Sequence, residues 1–168
     1  LQLQKESFIN LNIRNTFMQP LNILNYFQTN TNFKIKKYNQ PRCKTCNILI
    51  EYKNNITIKN QTIYINQNGN CQSRYVVYLI ICNFQKIYIG KATQFNLRNN
   101  VHRNHILEPD RTILPANEHM RKCGNIIKTT ILYIMNESDK IYMDSMENYF
   151  ISILKPELNS TLHNILKK

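Results

Sequence analysis

Residues 75–90, YVVYLIICNFQKIYIG, constrain this chain more than any other stretch. Tyr75 to Cys82 is an unbroken apolar run, the pattern of a strand covered on both faces. Asn83-Phe84-Gln85 supplies a turn and Lys86 to Gly90 a return strand, so a tight β-hairpin is expected. Thr93 then stands where it can N-cap a helix to about His105, with Phe95, Leu97 and Val101 on its apolar side. Residues 106–126, with Pro109, Pro115 and Gly124, read as an irregular loop. Ile126 to Met135 predicts another strand. Ser138 or Asp139 caps a second helix, on which Tyr142, Met146, Tyr149, Phe150 and Ile153 recur at helical spacing. Pro156 stops that helix, because the residue before a proline is pushed out of the helical region. The order strand, strand, helix, strand, helix predicts a small α/β domain around a three-stranded sheet, mixed or antiparallel, with no internal repeat.

The upstream sequence is of a different kind. Residues 1–40 read as a polar, basic linker or arm, with a short helix expected around Phe8 to Met18 and an alternating basic strand in TNFKIKKY. Residues 41–73 form a cysteine-bearing segment that opens on PRCKTCNILIEY, contains a small hairpin in NITIKNQTIYI, and turns at NQNGN. Residues 74–160 are the main domain and 161–168 a tail. A length of 168 residues fits one domain with an appendage. The start, LQLQKESFIN, lacks an initiating Met and a signal core, so a piece of a longer product is expected. No stretch approaches the roughly 18 apolar residues of a membrane helix, and no membrane role is expected.

Charge narrows the partner. The net charge is +12, and the excess is uneven. Residues 1–107 hold 14 Lys and Arg against only Glu6 and Glu51, whereas residues 108–168 hold eight of each sign. A one-sided basic field around the hairpin suits a polyanion, nucleic acid ahead of acidic lipid. The 26 asparagines reflect a compositional bias, so single Asn residues carry little weight.

Against that field the hairpin carries Tyr78 and Tyr88, with nine residues between them, Arg98 eight positions past Gly90, and Glu147 on the last helix. Hydrolysis of a phosphodiester needs an activated water, charge stabilisation on the phosphoryl group and usually a bridging metal. A phenol can serve in activation once nearby cations lower its pKa. Arg98 offers a forked, permanently charged donor set, and Glu147 a hard oxygen ligand suited to Mg²⁺. Arg98 and His102 are four apart and share a helix face with Phe95. Glu147 has mostly apolar helical neighbours, which predicts a carboxylate either partly buried and partnered or holding a cation. Singly, each has an ordinary explanation: a strand tyrosine packs in a core, a helix arginine is solvated, Glu147 pairs with a lysine, and His102 and His105 edge the basic face.

Taken together, the hairpin VVY…YIG, Arg98 and the helix MENYFISILKPELN resemble a GIY-YIG endonuclease domain over roughly residues 74–160. The resemblance implies a small α/β sandwich with a central three-stranded antiparallel sheet flanked by helices, here preceded by the cysteine-bearing segment. It implies divalent-metal-dependent cleavage of DNA, with Mg²⁺ or Mn²⁺ as cofactor. By the same resemblance Tyr78 or Tyr88 helps activate water, Arg98 steadies the phosphate, Glu147 holds the metal, His102 is a further polar helper, and Asn159 matches the family's asparagine. The first triplet departs from the family's Gly-Ile-Tyr, reading Val76-Val77-Tyr78, but no functional side chain is lost. Within the family, VVYLIIC, the upstream CxxC and a histidine after the first helix are similar to the endonuclease of Penelope-like retroelements. That similarity implies a nuclear protein that nicks target DNA, joined to a reverse transcriptase, with an RNA template among its partners. A catalytically decayed nucleic-acid-binding module and a stand-alone repair, homing or restriction nuclease are the alternatives.

Five cysteines with one CxxC point to metal before disulfides in an intracellular basic chain. The expectation is one structural zinc on Cys43, Cys46 and Cys71, with Cys82 or His119 as fourth ligand. Alternatively, His119 and Cys123, four apart, pair with His102 or His105 and tie the loop to the preceding helix. Cys82, in an apolar strand, also reads as ordinary core.

Overall fold

The computed structural model describes residues 32–108, 115–124, 127–136 and 139–159. From Phe33 onward they belong to one unit. The helix expected around Phe8 to Met18, the greater part of the arm and the tail 161–168 lie outside the described residues. In chain order the elements are β1 (Lys34–Ile35), a 3-10 turn (Lys44–Asn47), β2 (Tyr52–Lys53), β3 (Asn55–Ile58), β4 (Gln61–Tyr64), β5 (Arg74–Cys82) and β6 (Ile87–Gln94). Helix α1 (Phe95–Leu107), helix α2 (Pro115–Lys122), β7 (Ile127–Ile134) and helix α3 (Lys140–Leu154) follow.

The central sheet has the order β6-β5-β7 and both pairings are antiparallel, which removes the mixed alternative. The apolar run in β5 divides its side chains between two cores, as the period of two requires. Val76, Tyr78, Ile80 and Cys82 face one cluster with Phe95, Ile106 and Met120. Val77 and Leu79 face the other, with Met143, Met146, Phe150 and Leu154 of α3. Each such side chain contributes roughly 1.5–3 kcal/mol by leaving water.

Helix α3 starts as the sequence predicts. Asp139 is the N-cap and its carboxylate accepts from Tyr142 N at 3.1 Å. The helix ends at Lys155, which is left-handed (φ 45°), just ahead of Pro156. The β3–β4 hairpin turns on Lys59 and Asn60, both at positive φ, the pattern of a two-residue type I′ turn.

Three expectations are corrected. The return strand does not stop at Gly90 but pairs with β5 as far as Gln94 opposite Arg74, so Thr93 lies within the strand and caps nothing. Leu97 and Val101 are exposed, and the inner face of α1 is Phe95, Asn99, His102 and Ile106. Two of those four positions are polar and are held by hydrogen bonds, so hydrophobic pattern placed Phe95 correctly but Leu97 and Val101 on the wrong side. The loop expected over 106–126 contains α2. Pro115 opens that helix, where a missing N–H costs nothing, and Ala116, Asn117 and Met120 are its buried residues.

The cysteine-bearing segment shares the core of the sheet. Ile35, Cys46, Leu49, Ile65 and Cys71 pack in the cluster that holds Tyr78 and Phe95. Its backbone runs beside β7: Ile50 N donates to Thr129 O and Thr129 N to Ile48 O, each at 2.8 Å. At the opposite edge Leu158 N donates to Ile87 O at 3.1 Å. Both edges of the sheet are thereby covered by their own chain.

Candidate functional site

The hairpin register sets Tyr78 directly across from Gly90. A Cβ at Gly90 would stand 2.6 Å from Tyr78 Oη and 2.8 Å from Cζ, so the glycine is the space that the phenol occupies. A register shift between Val77 and Tyr78 in the β5–β7 pairing leaves Leu132 without an opposite residue, a bulge beside the same tyrosine. Gly90→Ala is expected to overpack this fully buried ring and destabilise the fold by about 1–3 kcal/mol, read by urea denaturation.

From Tyr78 a line of polar contacts crosses two helices. Arg98 Nε donates to Tyr78 Oη at 3.3 Å, and Tyr78 Oη lies 2.7 Å from His102 Nε2. His102 Nδ1 lies 2.8 Å from Asn117 Oδ1, and Asn117 Nδ2 stands 3.3 Å from His105 Nδ1. Tyr88 packs edge-on to the His102 ring at 5.4 Å between centroids and stands 6.4 Å from the Tyr78 ring. Tyr78 is 0% exposed and His102 1%, while Tyr88 and Arg98 are half-buried and form the open side of the group. His102 is therefore an interior residue and does not edge the basic face.

Burial dominates the electrostatics. It raises both phenols, Tyr78 well above the ordinary tyrosine range, with Arg98 pulling the other way on each. Burial, followed by the nearby Arg98 charge, lowers His102 to about 4 despite its bond to Asn117, so the imidazole is neutral at neutral pH. Burial also works against the Arg98 charge, but the phenols outweigh it and its pKa is raised.

Glu147 approaches from the other layer. Lys91, across from Val77, points toward α3 and binds Glu147 Oε2 at 2.6 Å and Asp144 Oδ1 at 2.5 Å. Glu147 is thus partly buried and partnered, one of the two states expected for it. Its charge is felt at both Tyr78 and Tyr88, which are carried by the sheet whose edge strand is β6. Asn159 bears on the fold: its Oδ1 accepts from Ile89 N at 2.8 Å and its Nδ2 donates to Ile89 O at 2.7 Å. It holds β6 at Ile89, the residue between Tyr88 and Gly90.

The cysteines form two groups, not one. Cys43, Cys46 and Cys71 offer sulfurs within 4.8 Å of one another, and the sulfurs of Cys82 and Cys123 and a ring nitrogen of His119 lie as close together. Either group could hold a metal ion such as zinc. The expected fourth ligand of the first group, Cys82 or His119, is corrected: both belong to the second. The pairing of His119 and Cys123 with His102 or His105 is corrected as well, because Cys82 takes that place. Cys82 stands 3.6 Å from His119 Nε2 and 3.7 Å from Cys123 Sγ. Sulfur and nitrogen ligands around a tetrahedral zinc stand about 3.4–3.8 Å apart, a range that these two spacings meet. The third edge, Cys123 to His119, is 3.1 Å. In the first group Cys46 and Cys71 are 3.3 Å apart. Burial opposes ionisation of Cys46, but bonds from Cys71 and Cys43 bring its pKa down, while burial pushes Cys71 up to about 12.

Sequence reasoning missed Asn117, Lys91 and Asp144, and joined Cys123 to the wrong partners. The His119-x-x-x-Cys123 spacing was the available signal for α2, since four residues bring two side chains to one helix face. Comparison with protein-family models, curated proteins and solved structures finds no match for this chain.

Proposed function

We propose that this chain is a metal-dependent DNA endonuclease of the GIY-YIG kind it resembles, hydrolysing phosphodiester bonds and nicking target DNA for a retroelement. In this reading it works within a longer nuclear protein that includes a reverse transcriptase acting on an RNA template. The observation that carries the proposal is the contact of Arg98 with Tyr78, backed 2.7 Å away by a neutral, buried His102.

With both phenols raised by burial, neither rests as a phenolate at neutral pH. A base is supplied instead by a relay. Water at the half-buried Tyr88 and Arg98 gives its proton to Tyr88 Oη, Tyr88 passes its own to Tyr78, and Tyr78 passes its own to His102 Nε2. The water oxygen bonds to phosphorus, the bond to the departing oxygen breaks, and that oxygen takes a proton from solvent. His102 later returns its proton by the same relay, through Tyr78 and Tyr88, to solvent. Arg98 neutralises charge on the phosphoryl oxygens.

Glu147 with Asp144 offers hard carboxylate oxygens at the site's rim, and the Lys91 ammonium between them marks a place for positive charge. These donors fit Mg²⁺ or Mn²⁺, which would polarise the phosphoryl group when bound. The two cysteine groups would each hold a structural zinc. The net charge of +12 and a cavity of about 460 Å³ lined by Tyr38, Arg42, Lys44, Gln72 and Asn96, among others, with no acidic residue, support a DNA partner.

Two observations favour a second reading. Lys91 neutralises Glu147 and Tyr78 is sealed from solvent, as a non-cleaving DNA-binding module would tolerate. Nicking of supercoiled plasmid in Mg²⁺ separates the two. The nuclease reading expects nicking by the wild type and a loss of about a hundredfold or more in Glu147→Ala. Retention of full activity in Glu147→Ala removes this site, and DNA binding without nicking in any divalent metal establishes the module.

A further inference from the structure

Asn117 belongs to no motif in the sequence, yet it is 0% exposed and bridges two histidines from a separate helix. Its placement is built from the last turn of α2. There Arg121 caps α1, with Nε donating to Ile106 O at 3.2 Å and a terminal nitrogen donating to His105 O at 3.3 Å. Beside it, His119 and Cys123 meet Cys82 at the end of β5. With the helix anchored there, the Asn117 amide in its first turn falls between His102 and His105, three residues apart on α1.

A neutral imidazole carries one proton, and the partner at each nitrogen decides which one has it. With Oδ1 toward His102, Asn117 accepts from Nδ1–H. His102 Nε2 then keeps its lone pair and faces Tyr78 Oη at 2.7 Å. The same orientation lets Nδ2 donate to His105 Nδ1, so both ends of the amide are used. With the amide reversed, Nδ2–H would meet Nδ1 and force the proton onto Nε2. His102 would then donate to Tyr78 and could accept nothing from it.

We propose that Asn117 is a positioning residue that holds His102 in its Nδ1–H tautomer, so that Nε2 is the acceptor for the Tyr78 proton. The inference rests on the nuclease reading for its consequence, but the tautomer itself is a property of the folded chain. In the step it serves, the Tyr78 O–H bond breaks, an Nε2–H bond forms, and Tyr78 Oη takes the proton handed on by Tyr88.

The test is long-range proton–nitrogen correlation on the ¹⁵N-labelled full chain at neutral pH, joined to steady-state plasmid nicking. In the wild type, His102 is expected to show a protonated Nδ1 and a lone-pair Nε2. Asn117→Asp keeps an acceptor in place and should preserve the Nδ1–H pattern. Asn117→Ala removes the acceptor and should shift His102 to a mixed or Nε2–H population, with kcat down about tenfold or more and KM within about twofold. A proton on Nε2 in the wild type overturns the proposal, as does an Asn117→Ala protein with unchanged tautomer and kcat. Should the wild type prove unable to nick DNA, the nuclease reading fails, and the ring spectra of the wild type and Asn117→Asp still decide the role of Asn117.

Discussion

Replacing Arg98 with alanine is expected to lower the single-turnover nicking rate by about 10³-fold or more, with DNA affinity close to that of the wild type. The guanidinium is half-buried, at the mouth of the phenol pair, with Nε on Tyr78 Oη. It is placed to meet charge that develops on the phosphoryl oxygens, whereas general DNA affinity draws on many lysines and arginines in a chain of net charge +12. Arg98→Lys should recover only a small part of the rate, because an ammonium restores the charge without the planar fork. The fold should survive both changes with a cost of about 1 kcal/mol for the lost bond to Tyr78. Nicking by Arg98→Ala within about threefold of the wild type would exclude Arg98 from the reaction.

The second large effect concerns the cysteine groups. Protein purified with zinc should carry two ions per chain, counted by native mass spectrometry, and Cys71→Ser and Cys123→Ser should each lose one. Cys71 is fully buried and Cys123 nearly so, in the core cluster that holds Tyr78. Removing an ion leaves three close ligand atoms without a shared partner. Bound structural zinc contributes up to about 10–16 kcal/mol in small zinc-dependent folds, and even part of that would move the melting midpoint by more than about 10 °C. Chelation should therefore lower the midpoint sharply, and loss at the second group should also slow nicking, because α2 carries both His119 and Asn117. A chelated protein that melts at the same temperature would show the groups to be ordinary core thiols.

Much of the scaffold could be read from the chain. The β5–β6 hairpin announced itself through an eight-residue apolar run, a polar turn and a return strand. The Asp139 cap and Pro156 bounded α3 because their signals are local, lying within a turn of the residues they affect. The inner face of α1 was misread for the converse reason. Asn99 and His102 occupy buried positions because of partners elsewhere in sequence or on the backbone, and hydropathy counts them as surface. Helix α2 escaped notice because eight residues with two buried apolar side chains give too faint a period.

The sequence by itself determined the order of β5, β6, α1, β7 and α3, the alternation that turns β5 toward two cores, and the residue types gathered around Tyr78 and Tyr88. The first two follow from local rules: side-chain period, turn chemistry and caps. Only the tertiary structure decided which polar groups meet. Tyr78 finds His102 across 24 positions, and Cys82 finds His119 across 37 and Cys123 across 41. No local pattern encodes such pairs. They follow from the way helices α1 and α2 pack over one face of the sheet, where burial favours polar groups that find partners.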